Sequence, residues 1–294
     1  MRSRQFRQVD VFSTVPYRGN PLAVVLDGDG IEDAALAAFA NWTNLSETTF
    51  VLPPTPEGAA AGADYRLRIF TPVRELPFAG HPTLGTAHAW LEAGNTPRDP
   101  SALVQECGAG LVQIRREAGR LAFAAPPLRR SGPVGEADRA TFAELLGITP
   151  TQIVDANWID NGPGWVGILL DSAESVLALE PRVAGLEGRS IGVVGPYPAP
   201  DAREAAGRDP ALRRPLVEVR AFVGGVGVGE DPVTGSLNAG LAQWMIAAGH
   251  TPEHYLAGQG ARLGRDGLVH LDRIDGQVWV GGASTTCISG TVIL

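Results

Sequence analysis

Cysteine, charge and long apolar runs are all scarce in this sequence. Its two cysteines, Cys107 and Cys287, stand 180 residues apart, which fits neither a disulfide framework nor the spacing of metal ligands. No stretch reaches the roughly 18 consecutive apolar residues of a membrane-spanning helix, and no apolar signal core follows the basic first residues. We therefore predict a reduced, cytoplasmic protein with no membrane partner.

Basic residues are outnumbered by acidic ones. Lys and Arg total 24 against 32 Asp and Glu, and the net charge is −8. Because nucleic-acid binding requires a concentration of positive charge, we predict no nucleic-acid partner. An anionic substrate would have to be held locally, by helix dipoles, backbone N–H groups or Arg. Apolar residues make up 44% of the 294 residues, enough for two domains that each bury a core.

A six-residue pattern occurs twice. Residues 81–86 read HPTLGT and residues 231–236 read DPVTGS. Aligned without a gap, both have an ionisable residue, Pro, two further residues, Gly and a hydroxyl residue. Pro in the first turn and a nearby Gly are typical of a helix N-terminus that binds an anion. The pattern predicts two matched helix starts that hold one small acidic molecule between an imidazole and a carboxylate.

Each copy of the pattern precedes a run of mostly small and apolar residues. We predict helices over 82–93 and 237–248, and helices without a charged face are typical of protein interiors. Residues 68–70 (RIF) and 220–222 (RAF) precede the two copies, with a connection that is two residues shorter in the second. The chain therefore reads as a tandem duplication, in which each half is a curved, largely antiparallel sheet around one central helix.

The composition and turn signals divide the chain into two domains. We predict a first domain at 1–120 plus 283–294 and a second at 121–282. The last strand, at 291–293, is expected to return to the sheet of the first domain.

Four separated segments resemble a known family. They are residues 18–21 (RGNP), 45–50 (LSETTF), 78–85 (FAGHPTLG) and 229–236 (GEDPVTGS). In this order they are similar to the PhzF family of phenazine-biosynthesis-like proteins. The resemblance implies an α+β, diaminopimelate-epimerase-like fold. This fold has two similar domains, each a β-barrel-like sheet around a central helix, with the active site in the cleft between them. It also implies a homodimer.

The same resemblance implies an isomerase that uses neither a metal nor an organic cofactor. Such an enzyme moves a proton on a small carboxylic acid, cyclic or amino-substituted. The family motifs imply that Glu47 carries the proton, that His81 and Asp231 are flanking polar groups, and that Ser236 contacts the substrate. Cysteine-dependent epimerases of this fold have a thiol at each helix start, where this chain has His81 and Asp231. A two-thiol mechanism is therefore disfavoured.

These residues also have purely structural explanations. Glu47 in an apolar cleft would have a raised pKa and could exchange a proton near neutral pH, but most Glu residues are simply exposed. Asp231 before a Pro-led helix fits an ordinary N-cap, and Asn20 fits a turn as well as a binding site. The remaining candidates for holding a substrate carboxylate could instead cap their own helices: Gly80, Thr83, Gly235 and Ser236.

Two further functions stay open at this point. The same scaffold could bind a small metabolite or a protein without chemistry, or could racemise an amino acid with Glu47 and either Asp231 or His81 as bases. Uptake of deuterium from heavy water into a bound ligand distinguishes a catalyst from a binding protein. The Gly-rich residues 224–229 do not fit a dinucleotide-binding turn, because the loop continues and no acidic ribose partner follows.

Overall fold

The computed structural model describes residues 1–117, 119–182, 185–186, 188–199, 214–224 and 229–294. Most of the Gly-rich segment rejected above as a dinucleotide site lies outside the described residues. The chain divides into two compact units, residues 1–124 with 280–294 and residues 125–279. The sequence prediction placed these boundaries after residues 120 and 282.

The elements are numbered in chain order. The strands are β1 (Ser3–Val11), β2 (Asn20–Val25), β3 (Glu47–Leu52), β4 (Tyr65–Phe70), β5 (Glu75–Leu76), β6 (Ala102–Cys107), β7 (Gly110–Glu117), β8 (Arg120–Ala124), β9 (Arg130–Pro133), β10 (Asp155–Asp160), β11 (Trp165–Leu169), β12 (Ser190–Pro196), β13 (Val217–Val223), β14 (Glu230–Asp231), β15 (His254–Gln259), β16 (Gly267–Ile274), β17 (Gln277–Gly282) and β18 (Ser284–Ile293). The helices are α1 (Asp33–Thr43), α2 (Pro56–Ala60), α3 (Gly80–Glu92), α4 (Glu136–Leu146), α5 (Ala173–Leu177) and α6 (Gly235–Ala247).

The first unit is a mixed sheet that surrounds helix α3. β1 lies antiparallel between β18 and β2, β2 pairs in parallel with β3, and β3 is antiparallel to β4. β4 continues antiparallel to β5 and parallel to β6, and β6, β7 and β8 are antiparallel neighbours. α3 contacts β1, β2, β3, β8 and β18, and ten of its 13 residues are buried. The prediction of a buried central helix is confirmed.

The second unit repeats this order of strand pairs. β10 and β11 are antiparallel, β11 and β12 parallel, and β12 and β13 antiparallel. β13 then pairs antiparallel with the short β14 and parallel with β15, which is antiparallel to β16. The buried helix α6 contacts β10, β11 and β16. The tandem duplication is therefore present in the pairing pattern as well as in the sequence.

The register of the duplication differs from the sequence prediction. In the first unit Ile69 pairs with Leu76, and in the second the equivalent Ala221 pairs with Asp231. Each 13-residue helix begins four residues after its paired residue, at Gly80 and at Gly235. The gap-free alignment of His81 with Asp231 is therefore wrong.

The corrected alignment places Ser236, and not Asp231, at the position of His81. The connection between β4 and β5 covers residues 71–74, and the equivalent connection between β13 and β14 covers residues 224–229. It is longer in the second copy, and not shorter as predicted. The predicted helix start was wrong because Asp followed by Pro is typical of an N-cap and the first residue of a helix. Asp231 lies instead in β14, and the N-cap of α6 is Thr234.

Candidate active site

Glu47 and His81 approach each other in the first unit. Glu47 is the first residue of β3, where it pairs with Leu22 of β2, and His81 is the second residue of α3. Nε2 of His81 lies 3.2 Å from Oε2 of Glu47, and the two side chains are 6% and 15% exposed. A carboxylate and an imidazole this close and this well shielded from solvent form a candidate acid–base pair.

His81 is neutral near pH 7. Burial lowers the pKa of His81 to about 3, because the protein interior disfavours the charged imidazolium. Its contact with Glu47 is therefore not an ion pair at neutral pH. A neutral imidazole carries one proton, and its second nitrogen is an acceptor.

Asn20 determines which nitrogen of His81 carries the proton. Asn20 is the first residue of β2 and is fully buried, and its Nδ2 lies 3.4 Å from Nδ1 of His81. An amide nitrogen can only donate, so with the amide in this orientation Nδ1 is the acceptor. The ring proton is then on Nε2, which faces Glu47. The three residues nominated from separate segments of the first half thus form one cluster.

The turn before Asn20 depends on a glycine. A Cβ on Gly19 would collide with the carbonyl oxygen of Val11, and the backbone N–H of Gly19 donates to Asp10 Oδ2 over 3.3 Å. The glycine therefore allows the chain to approach the end of β1 and enter β2 with Asn20 in place.

The two other candidate residues at the start of α3, Gly80 and Thr83, are both buried. Gly80 is the first residue of the helix and is buried, and the helix has no side-chain cap. Thr83 is fully buried. Its hydroxyl donates to the Ala79 carbonyl over 2.9 Å and accepts from Gln105 Nε2 over 3.1 Å. This hydroxyl is therefore engaged within the protein, which is the structural alternative to its predicted contact with a substrate.

Ser236 lies in the second unit, at the start of α6. Its hydroxyl oxygen accepts a hydrogen bond from Nε1 of Trp165 over 3.0 Å, and its carbonyl accepts from Nδ2 of Asn161 over 2.8 Å. Since the indole N–H can only donate, the hydroxyl proton of Ser236 is directed away from Trp165. Ser236 and the buried Gly235 occupy the first two positions of a helix without a side-chain cap.

Asp231 belongs to a different hydrogen-bond network of the second unit. The hydroxyl of Thr234 donates to Oδ2 of Asp231 over 2.5 Å, and Nε2 of Gln259 donates to the Asp231 carbonyl over 3.1 Å. The sequence analysis missed Thr234, Gln259 and Trp165. Gln259 of β15 bonds to a side chain of α6, that of Asn238, as Gln105 of β6 bonds to that of Thr83 in α3, but no short motif marks either residue.

The two units are chemically unequal at equivalent positions. Strand pairing makes Ser190 the counterpart of Glu47, because each immediately precedes the residue that pairs with the equivalent phenylalanine, Phe222 or Phe70. The Ser190 hydroxyl donates to a backbone carbonyl, that of Pro163. Carboxylate and imidazole in the first unit thus correspond to two hydroxyls, Ser190 and Ser236, in the second. The candidate acid–base pair belongs to the first unit alone.

The groups that hold common cofactors are scarce. In the part of the chain that the structure describes, no cluster of three or more His, Cys, Asp or Glu side chains could hold a metal ion. The sequence contains no lysine, so no lysine-linked imine can form on this chain. Within the described ranges, no helix has the length and apolar character needed to cross a bilayer.

Comparison with known proteins relates the chain to phenazine-biosynthesis-like proteins. The family model described as "Phenazine biosynthesis-like protein" matches residues 9–290. "Antisense-enhancing sequence 1" of Schizosaccharomyces pombe is 34% identical over 315 residues, which covers 99% of each chain. "Trans-2,3-dihydro-3-hydroxyanthranilate isomerase" of Pseudomonas fluorescens is 31% identical over 298 residues, covering 97% of this chain and 98% of the relative. A crystal structure of a PhzF-family phenazine biosynthesis protein of Bacillus anthracis has a TM-score of 0.82 at 20% identity, over the whole of both chains.

The duplicated sheet-and-helix units define an α+β protein of the diaminopimelate-epimerase-like class, as the sequence predicts. Within that class, the chain belongs to the phenazine-biosynthesis-like family, PhzF. It is an isomerase of this family.

Proposed function

We propose that this isomerase moves a proton between two positions of a small carboxylic acid, cyclic or amino-substituted, without a metal or an organic cofactor. The observation that carries the proposal is the 3.2 Å approach of His81 to Glu47 in a nearly solvent-free setting. Family membership supports the substrate class, since one relative is named for a dihydro-hydroxyanthranilate.

Glu47 is the proposed proton carrier. Its carboxylate accepts a proton from a saturated carbon of the substrate, and the electrons of that C–H bond form a new double bond. The existing double bond shifts, and a carbon farther along the conjugated system takes the proton back from Glu47. One hydrogen and the double bonds change position, so no electrons are gained or lost. Nε2 of the neutral His81 lies 3.2 Å from Oε2 of Glu47, close enough for His81 to position the carboxylate in this proposal.

The second unit is proposed to supply binding groups. Asp231 would accept a hydrogen bond from an amine or hydroxyl of the substrate. Ser236 would donate its hydroxyl proton to the substrate carboxylate, beside the N–H groups at the start of α6. Family resemblance alone supports the idea that these groups bind the same molecule as Glu47.

The test uses trans-2,3-dihydro-3-hydroxyanthranilate as the probe in heavy water. We expect the wild-type protein to isomerise it and to incorporate deuterium at the newly protonated carbon, as followed by NMR. A Glu47→Gln variant should lose about 100- to 10,000-fold in kcat, because the amide cannot carry the proton. Calorimetry should show that this variant still binds the probe.

Glu75→Gln is the matched control. It makes the same chemical change on an exposed carboxylate that pairs with Arg68, and it should leave turnover unchanged. Unaltered turnover in Glu47→Gln would remove Glu47 from the mechanism. Tight binding of the probe to the wild-type protein without deuterium uptake would favour a binding protein instead.

A further inference from the structure

The side chain of Gln259 uses all of its hydrogen-bonding capacity next to Asp231. Gln259 ends β15 and is 2% exposed. Its oxygen accepts from the Thr234 backbone N–H over 3.0 Å and from Nδ2 of Asn238 over 2.8 Å. Its nitrogen donates to the Asp231 carbonyl over 3.1 Å and to the Thr234 hydroxyl over 3.0 Å. A backbone N–H requires an acceptor and a carbonyl requires a donor, so the amide orientation is unambiguous.

This arrangement determines where the Thr234 hydroxyl proton goes. The hydroxyl has one proton, and its oxygen already accepts from Gln259. The proton is therefore donated to Oδ2 of Asp231, 2.5 Å away. A hydrogen bond from a neutral donor to a carboxylate favours the ionised form and holds it in one orientation.

We propose that Thr234 and Gln259 are positioning residues for Asp231, which they hold as an oriented, ionised acceptor for a hydrogen-bond donor of the substrate. The proposal rests on the proposed function, in which Asp231 contacts substrate. Gln259 acts through Thr234, and neither residue needs to touch the substrate.

The first unit contains the matched control. Gln105 of β6 is also fully buried, donates to the Thr83 hydroxyl over 3.1 Å and accepts from the Tyr65 hydroxyl over 3.2 Å. The counterpart of Asp231 in the first unit is Leu76, which pairs with Ile69 of β4. The network around Gln105 therefore has no carboxylate at the position of Asp231. The test variant is Gln259→Glu, and its control is Gln105→Glu. Both replace a buried amide with a carboxyl group, but Gln105→Glu leaves the hydrogen bonds around Asp231 intact.

The first measurement does not depend on any substrate. Protein with 13C-labelled Asp carboxyl groups is titrated by NMR, and Asp231→Asn identifies the Asp231 signal. In Thr234→Val the pKa of Asp231 should rise by about one pH unit relative to wild type, because the carboxylate loses a donor. Thr234→Ser, which keeps the hydroxyl, should titrate as wild type does.

Gln259→Glu should raise the pKa of Asp231 in the same direction, because a carboxyl oxygen replaces the amide donor and competes for the Thr234 proton. Gln105→Glu should leave it unchanged. The charged groups nearest along β14 and β13 are Glu230 and Arg220, which pair with each other over 2.8 Å and are the same in every variant. Unchanged titration of Asp231 in both Thr234→Val and Gln259→Glu would overturn the proposal, as would an equal shift in Gln105→Glu.

The second measurement is turnover of trans-2,3-dihydro-3-hydroxyanthranilate. Thr234→Val should raise KM about tenfold and leave kcat within about threefold, since Asp231 binds the substrate but does not carry its proton. Thr234→Ser should restore KM. A loss confined to kcat would contradict the positioning role. If the wild-type protein does not turn over this probe, the proposed function fails for that substrate, and the titration alone still decides the roles of Thr234 and Gln259.

Discussion

His81 shows how burial can outweigh a neighbouring charge at a single residue. Its ring is within 3.2 Å of a carboxylate, yet desolvation lowers the pKa of His81 to about 3. In the unfolded chain the same imidazole titrates near 6.5. Between these values the unfolded state binds a proton that the native state does not, so stability rises with pH.

His81 should therefore make the protein sensitive to acid. As the pH falls from about 6 to 4, the free energy of unfolding of the wild-type protein should decrease by up to about 1.4 kcal/mol per pH unit from this group alone. His81→Gln removes the titrating group, so its free energy of unfolding should fall less steeply. Urea unfolding at a series of pH values measures both slopes. Equal slopes in the two proteins would show that His81 is not buried in its neutral form.

Sequence motifs identified the residues of this cluster but not its chemistry. Glu47, His81 and Asn20 each lie in a short segment that resembles the family, so they could be nominated one at a time. The charge of His81 depends on burial, and its tautomer depends on the amide of Asn20, 61 positions away in sequence. Neither is encoded in the motif around His81.

At the scale of elements, the two central helices differ in what touches their glycines. Gly85 and Gly240 are the sixth residues of α3 and α6. A Cβ on Gly85 would meet side-chain methyl groups of Leu22 and Val11 at 2.7 Å, whereas on Gly240 it would meet the backbone oxygen of Ile159 at 2.6 Å. Methyl groups at the ends of side chains can move aside more easily than the backbone of a buried strand.

Gly240→Ala should therefore cost more stability than Gly85→Ala. Alanine improves helix propensity by about 1 kcal/mol at either site, but overpacking costs about 1–3 kcal/mol. We expect a clear net destabilisation for Gly240→Ala and a smaller effect for Gly85→Ala. Denaturant unfolding of the two variants provides the comparison. Equal effects, or stabilisation by Gly240→Ala, would contradict the backbone contact seen in the structure.

Elements were predictable where local composition decides them. β4 alternates in burial as its sequence alternates, with Tyr65, Leu67 and Ile69 inward. Composition also identified the two central helices, but their starts were predicted two residues late. β15 was not predicted, because His254–Gln259 has little apolar alternation and becomes a strand through its pairing with β13 and β16.

At the scale of the whole molecule, the two ends of the described chain meet in one sheet. β18 pairs with β1 from Ser3 with Ile293 to Val11 with Ser284, which confirms the predicted return of the last strand. Arg2 and Leu294 exchange both backbone hydrogen bonds, over 2.6 and 3.1 Å. In antiparallel strands, residue pairs that exchange two backbone hydrogen bonds alternate with pairs that exchange none. Counted from the Arg2–Leu294 pair, the N–H of Gly290, opposite Phe6, points toward β1, and the N–H of Thr291 points away.

Proline substitutions at these two exposed positions should distinguish the N–H that bonds to β1 from the N–H that does not. Gly290→Pro removes a hydrogen bond to β1 and should destabilise the first unit by about 1–3 kcal/mol. Thr291→Pro removes an N–H that does not bond to β1 and should cost less. Hydrogen exchange should show loss of protection in β1 for Gly290→Pro and near wild-type protection for Thr291→Pro. Equal loss in both variants would contradict the pairing register.

The sequence by itself determined the family and the duplication and nominated Glu47, His81 and Asp231 as site candidates, because these are properties of short segments. Only the tertiary structure decided which residues of the two copies correspond, since strand pairing and not motif similarity makes Ser236 the counterpart of His81. It also decided that His81 is neutral and that Thr234 and Gln259 hold Asp231. Burial and hydrogen bonds join residues far apart in the chain, as Thr234 and Gln259 are, 25 positions apart, and no local pattern records them.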